Sequence, residues 1–377
     1  MTTMKKSSGA APGSRSFSYD VGLLFPVLFL VGIGIVMIYS ASSALAMKKY
    51  GSDYYFLKKQ IVSGVLGIAL LIACRHIPYR LYRVMAYPLL AVALVTLLAL
   101  KLTPLAYTAG GSTRWLHLGP VTFQPSELAR FAMVIYLAYS LSKKQEMIKA
   151  FSIGFVPHVV VLGILSGLIL LEPDFGSVAI LAAVTWIMLF VGGVRLLHLS
   201  AALLVLLPAG YMLMMNASYR LKRIMTFLDP WQYSSDQGYQ IVHSLMAFGT
   251  GGIWGTGIGK GYQKLFYLPE PHTDFIFSVI GEELGLVGVV VILALYGLVL
   301  YRGIRIARGA QDTFGALMAL GLISAIGLQV CVNMGVALGL LPTKGLPLPF
   351  LSYGGTSLLL SMASVGILMN IGSKAAA

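Results

Sequence analysis

A polar, acid-rich loop runs directly into a long apolar segment in the stretch YLPEPHTDFIFSVIGEELGLVGVVVILALYGLVL (267–300). Its apolar part is long enough for a helix to cross about 30 Å of hydrocarbon. Four carboxylates lie where the loop meets that part: Glu270, Asp274, Glu282 and Glu283. A carboxylate at a membrane boundary is costly to desolvate, so it needs a partner or a chemical task. The alternative is that these acids cap the helix N-terminus, where the helix dipole favours negative charge.

The rest of the chain has the composition of a membrane protein. Hydrophobic residues make up 58% of its 377 residues and charged residues only 11%, a balance that few soluble domains share. Apolar runs of about the length of a membrane-spanning helix lie at 21–43, 59–75, 83–101, 125–142, 152–171, 176–194, 197–215, 277–300, 314–340 and 351–373. The sequence therefore predicts an all-α polytopic membrane protein with ten transmembrane helices.

The distribution of basic residues predicts the orientation of the chain in the membrane. With the N-terminus inside, 14 of the 27 Lys and Arg residues fall on the inner side, and five of the other 13 belong to one long outer loop. The positive-inside rule discounts long loops, so the remaining bias favours cytoplasmic termini. The predicted organisation is a disordered cytoplasmic tail over 1–19, a transmembrane domain over 20–373 and a cytoplasmic tail over 374–377.

Two outer loops are long enough to hold a site, 102–124 and 216–274. Prolines and glycines in the first predict a shaped loop packed on the helix bundle. The second is too long to be an ordinary connection, which indicates a functional lid or a re-entrant segment. Its run GTGGIWGTGIGKG (249–261) does not fit a phosphate loop, because Trp254 replaces the first glycine of that pattern and Gly261 replaces Ser or Thr. We expect tight turns or close packing there.

Two groups of charged residues have both a structural and a functional interpretation. Glu127 and Arg130 are one helical turn apart at the start of the fourth span. They form either a helix-end salt bridge or an intramembrane pair that holds a cavity open or orients a reacting group. Because intramembrane ion pairs are costly, the functional interpretation is favoured. Arg220 and Arg223, beside the seventh span, either anchor at lipid headgroups or donate to an anionic diphosphate.

A third candidate is the segment LPTKGLPLPFLSYGGTS (341–357). Its three prolines exclude a regular helix, so they predict a rigid loop around Lys344 that leads into a helix start near Ser352. A helix N-terminus that points at the outer cavity would itself attract phosphate.

Other function classes find little support in the residues. The net charge is +14, but the basic residues are scattered between apolar runs, so nucleic-acid binding is not predicted. Cys74 and Cys331 lie in apolar surroundings and are predicted to be small core residues, without a disulfide or a zinc site. The six histidines are dispersed without a metalloprotease motif, and the serine hydrolase motif GxSxG does not occur.

Several long motifs in one order resemble the SEDS family of polytopic membrane proteins, over essentially residues 20–373. They are GSTRWLHLG with FQPSELAR, the DPW…GYQ segment (229–240), LPEPHTDFIFSVIGEELG and LPTKGLPLPFLSYGGTSL. Within the family, the IGEELG run and Thr343-Lys344-Gly345 are more similar to the cell-division branch than to the elongation branch.

The resemblance implies a peptidoglycan glycosyltransferase that polymerises lipid II on the outer face of the bacterial cytoplasmic membrane, at the division septum. It implies that Asp274 is the essential acid and that Glu127 and Arg130 are a functionally important pair of the fourth span. A divalent cation, Mg²⁺ or Mn²⁺, is implied as cofactor. The implied partners are a class B penicillin-binding protein with transpeptidase activity, other cell-division membrane proteins and membrane lipids.

The implied reaction can be matched to particular residues. The donor carries an α-linked diphosphate and the product is a β-1,4 glycan, so a single displacement inverts the anomeric centre, by analogy with inverting glycosidases. Such a displacement needs a base for the acceptor hydroxyl, for which we predict Asp274, and positive charge for the leaving diphosphate. The predicted substrate-binding residues are Arg114, Arg220, Arg223, Lys260, Glu270, His272, Lys344 and Ser352. A transporter of lipid-linked precursor, or a scaffold that activates a transpeptidase, remain the alternatives.

Overall fold

The computed structural model of the chain describes residues 20–109, 112–119, 121–215, 225–234, 238–265, 268, 270–343 and 345–375. The predicted tail 1–19 and the predicted substrate-binding residues Arg220, Arg223 and Lys344 lie outside these residues. The helices are α1 (Val21–Tyr50), α2 (Tyr55–His76), α3 (Tyr82–Leu102), α4 (Pro125–Lys143), α5 (Val156–Leu170), α6 (Phe175–Val191), α7 (Leu196–Met215), α8 (Tyr239–Gly251), α9 (Ile276–Gly309), α10 (Thr313–Ala337) and α11 (Gly355–Ala375).

The helices agree with the apolar runs of the sequence. Within the described ranges, seven stretches are long and apolar enough to cross a membrane: Val21–Tyr50, Tyr55–His76, Tyr79–Leu102, Phe151–Leu170, Ile276–Gly309, Thr313–Ala337 and Gly355–Lys374. The other three predicted spans fall on α4, α6 and α7, of which α6 and α7 are shorter apolar helices. The prediction of a mostly helical membrane protein is confirmed, whereas the count of ten spans stays a prediction.

The outer loop 102–124 contains a small antiparallel sheet, so the prediction of an all-α chain is wrong for this segment. Its strands, in sheet order, are β1 (Ala106–Ala109), β2 (Ser112–Leu118) and β3 (Val121–Phe123). Tyr107 pairs with Trp115, and Leu116, which is buried, pairs with Phe123. Aromatic and β-branched residues favour strands, and strand pairing gives the backbone of a long loop the hydrogen-bond partners that it needs.

Helix α9 is broken at Gly285, where φ is +64° and ψ is −165°. In an unbroken helix, the N–H groups of residues 286 and 287 would donate to the carbonyls of residues 282 and 283. Here the loop after α8 lies between them and takes over both bonds. Leu286 and Val287 donate to the carbonyls of Gly252 (2.9 Å) and Ile253 (3.2 Å), while Thr256 and Gly257 donate to those of Glu282 and Glu283 (both 3.0 Å). We call this exchange between 252–257 and 282–287 the backbone splice.

The backbone splice explains the glycine-rich run 249–261. A Cβ atom on Gly251 would lie 2.0 Å from the carbonyl oxygen of Gly281, and one on Gly255 would lie 2.2 Å from that of Glu283. Gly255 also has a φ of +79°, which glycine adopts at little cost. The prediction of tight turns and close packing for this run is therefore confirmed.

The bundle places the loop 345–353 deep within the protein. Among the seven candidate spans, α10 and α11 are the most buried, with 67% and 72% of their most apolar stretch buried against 28% for α2. A Cβ atom on Gly34 of α1 would lie 2.7 Å from the carbonyl oxygen of Phe350, so α1 touches the loop backbone. From α9, the hydroxyl of Tyr296 donates to the carbonyl of Pro349. The loop thus has little freedom to move.

The two cysteines differ in their surroundings. Cys74 is buried, as predicted, whereas Cys331 is exposed on α10, so the prediction of a core position is wrong for Cys331. An apolar residue on a membrane helix can face lipid instead of the protein core, and hydropathy alone does not separate the two.

Candidate active site

Asp274 lies two residues before α9 and is held there through its backbone. Its carbonyl accepts a hydrogen bond of 2.9 Å from Nδ2 of Asn333 on α10. The carbonyl of Thr273 accepts one of 2.5 Å from the hydroxyl of Ser352, and the carbonyl before it accepts one of 2.9 Å from the N–H of Tyr353. Three successive carbonyls are therefore fixed by α10 and by the loop 345–353, so the position of the carboxylate is well defined.

The Asp274 carboxylate faces Gly345 and Arg114. A Cβ atom on Gly345 would lie 2.9 Å from Oδ2 of Asp274 and 3.5 Å from Nη1 of Arg114. The loop backbone is therefore packed directly against the carboxylate, and the guanidinium from β2 reaches the same point. Two predicted site residues, Asp274 and Arg114, are thus brought together although 160 positions separate them in the sequence.

Arg114 also ties the sheet to the connection between α5 and α6. Its Nη2 donates a hydrogen bond of 3.0 Å to the carbonyl of Pro173, and its Nε is 4.0 Å from Oδ2 of Asp174. Asp174 in turn caps α6, because its carboxylate accepts from both the N–H (3.2 Å) and the hydroxyl (2.7 Å) of Ser177. The guanidinium therefore lies between two carboxylates, those of Asp174 and Asp274.

The environment of Asp274 makes it a stronger base than an ordinary aspartate. Burial raises the pKa of its carboxyl to about 7, with smaller contributions from Glu270 and Asp174, while the charge of Arg114 opposes the rise. A carboxylate with this pKa is largely deprotonated just above neutral pH and accepts a proton more readily than one of pKa near 4. This is the property that the predicted general base requires.

A second carboxyl near the site, that of Glu172, is deeply buried. Neither of its oxygens has a hydrogen-bond partner among the residues that the structure describes. Burial raises its pKa to about 8, with Asp174 adding to the rise and Lys101 and Arg114 opposing it. Glu172 is therefore mainly a neutral acid at pH 7. The sequence did not distinguish Glu172 from the other acids predicted on the outer side, because residue spacing does not show which carboxyl group is buried.

Glu127 and Arg130 form a buried hydrogen-bonded ion pair within α4. They line a cavity of about 20 Å³ between α4, α10 and α11, which has room for about one water molecule. Gln329 lines the same cavity and donates a hydrogen bond of 2.9 Å to the carbonyl of Pro347, in the loop that packs against Asp274. The pair of Glu127 and Arg130 is thus connected to the surroundings of Asp274 through the side chain of Gln329 and the loop 345–353.

The FtsW/RodA/SpoVE family, described as "Cell cycle protein", has a family model that matches residues 22–376 of the chain. The chain belongs to this family. It is 46% identical over 356 residues to the "Probable peptidoglycan glycosyltransferase FtsW" of Geobacter metallireducens, covering 94% of the chain and 95% of that relative. It is 48% identical to the protein of the same name from Trichlorobacter lovleyi (95% and 94% covered) and 39% identical to the stage V sporulation protein E of Bacillus subtilis (95% and 98% covered).

Solved structures give the same family and the same fold. A chain of a solved peptidoglycan synthase complex matches with a TM-score of 0.79 at 30% identity, covering 95% of the chain and 98% of that structure. The rod shape determining protein RodA of Thermus thermophilus matches with a TM-score of 0.69 at 30% identity, covering 94% and 97%. The SEDS resemblance is confirmed, and the FtsW relatives agree with the prediction of a cell-division branch.

Several predicted substrate-binding residues of this FtsW/RodA/SpoVE protein have other contacts. The Ser352 hydroxyl accepts from the N–H of Leu348 (2.7 Å) and donates to Thr273, so it links two backbone segments. Lys260 is exposed on the loop beside the backbone splice, and no described contact brings it to Asp274. The substrate role of both residues stays a prediction.

His272 and Glu270 are close in the chain but differ in exposure, because His272 is buried and Glu270 is exposed. The His272 ring is buried and lies 4.3 Å from the ring of Phe56, centroid to centroid. Burial, with a smaller contribution from Lys49, lowers the pKa of His272 to about 4, so its 3.6 Å contact with the exposed Glu270 carboxylate is not an ion pair at neutral pH. Of the two, only Glu270 presents its side chain to an outside molecule.

The divalent cation that the resemblance implies finds no ready site among the described residues. In the part of the chain that the structure describes, no group of three or more His, Cys, Asp or Glu side chains is arranged to hold a metal ion. Mg²⁺ demands near-octahedral oxygen coordination, which two carboxylates alone, those of Asp274 and Asp174, do not supply. The described residues therefore offer no complete ligand set for a resident metal, and the cation stays a prediction.

Glu282 and Glu283, the other two acids of the opening stretch, do not cap α9. Their hydrogen bonds give both of them a structural task instead. The Glu282 carboxylate accepts hydrogen bonds from the N–H groups of Tyr262 (2.7 Å) and Gln263 (3.2 Å). Both Glu282 and Glu283 thus face the loop that also forms the backbone splice.

The carboxylate of Glu283 accepts from the ammonium of Lys264 (2.6 Å), the hydroxyl of Ser40 (2.7 Å) and the N–H of Gly259 (3.0 Å). All charged members of this cluster are buried. Sequence reasoning missed the cluster, because Ser40 and Lys264 come from distant segments and carry no motif.

Proposed function

We propose that the chain is a peptidoglycan glycosyltransferase that polymerises lipid II into β-1,4 glycan strands, with Asp274 as general base. The relatives named FtsW support this reaction. Within the molecule, the observation that carries the proposal is the Asp274 carboxyl, whose pKa is raised to about 7 at a point where Arg114 and the 345–353 backbone meet. We also propose ten membrane spans, cytoplasmic termini and a place in the cytoplasmic membrane at the division septum.

The proposed reaction is one inverting displacement. Asp274 accepts the proton of the acceptor sugar hydroxyl, whose oxygen attacks the anomeric carbon of the donor. The bond from that carbon to the diphosphate oxygen breaks, and the diphosphate leaves as an anion, so it needs no strong acid. Arg114 is the described cation beside Asp274 and has donors left to bind the anion. The pair of Glu127 and Arg130 supports the loop 345–353 from the interior of the helix bundle through Gln329.

The length of α9 supports a site at the outer membrane surface. Near its inner end, Nη1 of Arg302 is 3.9 Å from Oδ1 of Asp20, the cap of α1, and we take this pair as the inner boundary. At 1.5 Å per residue, the continuous helix from Arg302 to Leu286 measures about 24 Å, most of the about 30 Å of hydrocarbon. Asp274 lies beyond the break at Gly285 and two residues before the start of α9, so it lies at the outer end of this span, where the sugars of a lipid-anchored substrate would extend.

Replacement of Asp274 tests the proposal directly. We expect Asp274→Asn to abolish glycan-chain formation from purified lipid II, because the amide cannot accept the hydroxyl proton. Size exclusion in detergent should show a folded, monodisperse protein. As a matched control, Glu146→Gln neutralises an exposed carboxylate of the short helix Gln145–Met147 and should retain activity. Polymerisation by folded Asp274→Asn near the wild-type rate would exclude Asp274 as the base.

A class B penicillin-binding transpeptidase is the partner we propose, alongside other cell-division membrane proteins. The match to a chain of a peptidoglycan synthase complex supports it. The transporter alternative draws on the intramembrane pair Glu127 and Arg130, but their cavity of about 20 Å³ is far smaller than a sugar headgroup. Translocation of lipid II across liposomes without polymer would favour the transporter. Co-purification with the partner and normal growth of an Asp274→Ala strain would favour the scaffold.

A further inference from the structure

Asn333 joins the two backbone segments that meet at the proposed base. It is buried near the outer end of α10. Its Nδ2 donates one hydrogen bond of 2.9 Å to the carbonyl of Asp274 and a second of 2.6 Å to the carbonyl of Leu346. Both neighbours are acceptors, so the amide must present its NH₂ group to them, and both of its N–H bonds are used.

These two hydrogen bonds act on opposite sides of one contact. Leu346 follows Gly345, whose missing Cβ lets the loop backbone come against Oδ2 of Asp274. Asp274 is half-buried, so holding the Leu346 carbonyl holds the surface that covers the protected side of its carboxylate. Holding the Asp274 carbonyl fixes the residue that carries the carboxylate. One side chain thus bonds to the backbone on both sides of this contact, in addition to the link that Ser352 makes between Leu348 and Thr273.

We propose that Asn333 is a positioning residue, which keeps the Asp274 carboxylate packed against the Gly345 backbone and so keeps it a competent base. The inference rests on the proposed role of Asp274. Asn333 itself touches no reacting atom in this arrangement: backbone carbonyls use both of its donors, and its buried Oδ1 has no hydrogen-bond partner among the described residues.

The consequence for acid–base behaviour follows from the groups that face Asp274. These are Arg114 from β2, Asp174 from the α5–α6 connection, Glu270 from its own segment and the backbone of the loop 345–353. Burial is the largest cause of the raised pKa of Asp274, and Arg114 opposes it. When both bonds of Asn333 are lost, the backbone at 345 and 346 separates from the carboxylate while Tyr296 and Ser352 still hold the rest of the loop. Water then reaches the carboxylate and Arg114 stays, so the pKa falls toward that of an ordinary aspartate. The acid limb of the pH–rate profile, where the rate falls as Asp274 becomes protonated, then moves to lower pH.

Asn333→Leu tests the proposal, because leucine keeps the approximate shape and removes both donors. With a pKa of about 7, the wild-type turnover of lipid II should be about tenfold higher at pH 8 than at pH 6. If the pKa of Asp274 falls by about one unit, that ratio becomes about twofold. We expect Asn333→Leu to show the smaller ratio and at least a tenfold lower kcat, with KM changed less than kcat. The assay uses the full chain and fluorescent lipid II.

Gln329→Met is the matched control. Gln329 lies one turn earlier on α10 and holds the same loop at the carbonyl of Pro347, but it has no bond to residue 274. Its loss should leave the ratio between pH 8 and pH 6 near tenfold, whatever it does to the rate. Where Asn333→Leu does not fold, Asn333→Ser, which is smaller and keeps one donor, replaces it in the same comparison.

Each outcome bears on one proposal only. An unchanged ratio in a folded Asn333 variant would overturn the positioning role, and so would an equal change in the Gln329 variant. If Asp274→Asn is inactive and the Asn333 variant has an unchanged ratio, Asp274 remains the proposed base and only the positioning role of Asn333 is excluded. If Asp274→Asn is active, the role of Asp274 as the base is excluded.

Discussion

Replacing Gly255 with alanine should destabilise the folded protein by about 3–5 kcal/mol. The φ of +79° at Gly255 costs a residue with a Cβ atom about 1–2 kcal/mol. The new Cβ would also lie 2.2 Å from the Glu283 carbonyl oxygen and 2.7 Å from the Gly285 nitrogen. Both are backbone atoms, so the segment itself has to shift. The shift disrupts the bonds of 3.0 Å from Thr256 and Gly257 to α9, at about 1–1.5 kcal/mol each.

Gly259→Ala is the control that separates the clash from the backbone strain. Gly259 has a similar φ of +84°, but nothing lies within 4 Å of the position that its Cβ would take. Its replacement should therefore cost only the strain, about 1–2 kcal/mol. Apparent thermal unfolding midpoints of the purified proteins, in one detergent and at one heating rate, provide the comparison. Equal losses for Gly255→Ala and Gly259→Ala would show that the backbone splice does not contribute to stability as its geometry requires.

Two further perturbations probe buried charges, one beside Asp274 and one in the cluster of Glu283 and Lys264. Arg114→Gln removes the cation that lowers the pKa of Asp274, so the acid limb of lipid II polymerisation should move to higher pH, opposite to the Asn333 variants; a pH–rate profile that moves downward would contradict this. Lys264→Met leaves the buried Glu283 carboxylate without its ammonium partner and should destabilise by about 3–5 kcal/mol. Adding Glu283→Gln should recover most of that loss in the same thermal assay, and a double variant as unstable as the single one would argue against a charge effect.

The sequence could predict the helices because each crossing needs a long apolar run, which composition shows directly. The sheet at 106–123 was missed because its strands are only three to seven residues long and occupy a segment that also has the glycines and prolines of a loop. The break of α9 was missed for a different reason. Gly285 by itself is tolerated in a helix, and only the approach of 252–257 shows that the helix is interrupted there.

The site was predictable in part. Asp274 is one of four acids where the polar loop meets the apolar run, and the family resemblance selects it as the essential acid. Arg114 lies in the stretch GSTRWLHLG, which is one of those that carry the resemblance. Asn333 was not found, because an asparagine in an apolar run carries no motif and its partner Asp274 is 59 residues away. Gly345 stands out in the sequence only as part of a motif, because its role depends on the side chain that it lacks. Hydrogen bonds between distant segments decide the surroundings of the base, and residue spacing does not encode them.

The geometry reconciles two demands that conflict at a membrane surface. A carboxyl base gains strength from burial, yet the sugar hydroxyl that Asp274 is proposed to deprotonate lies in water above the lipid. In this chain the shield around Asp274 is backbone, at Gly345, held by amide and hydroxyl groups of α10 and the loop itself. A shield of this kind excludes water without placing a bulky apolar side chain where the sugar must enter. Lining the same space with large side chains would raise the pKa equally well but would close the approach, which explains why a glycine stands against the carboxylate.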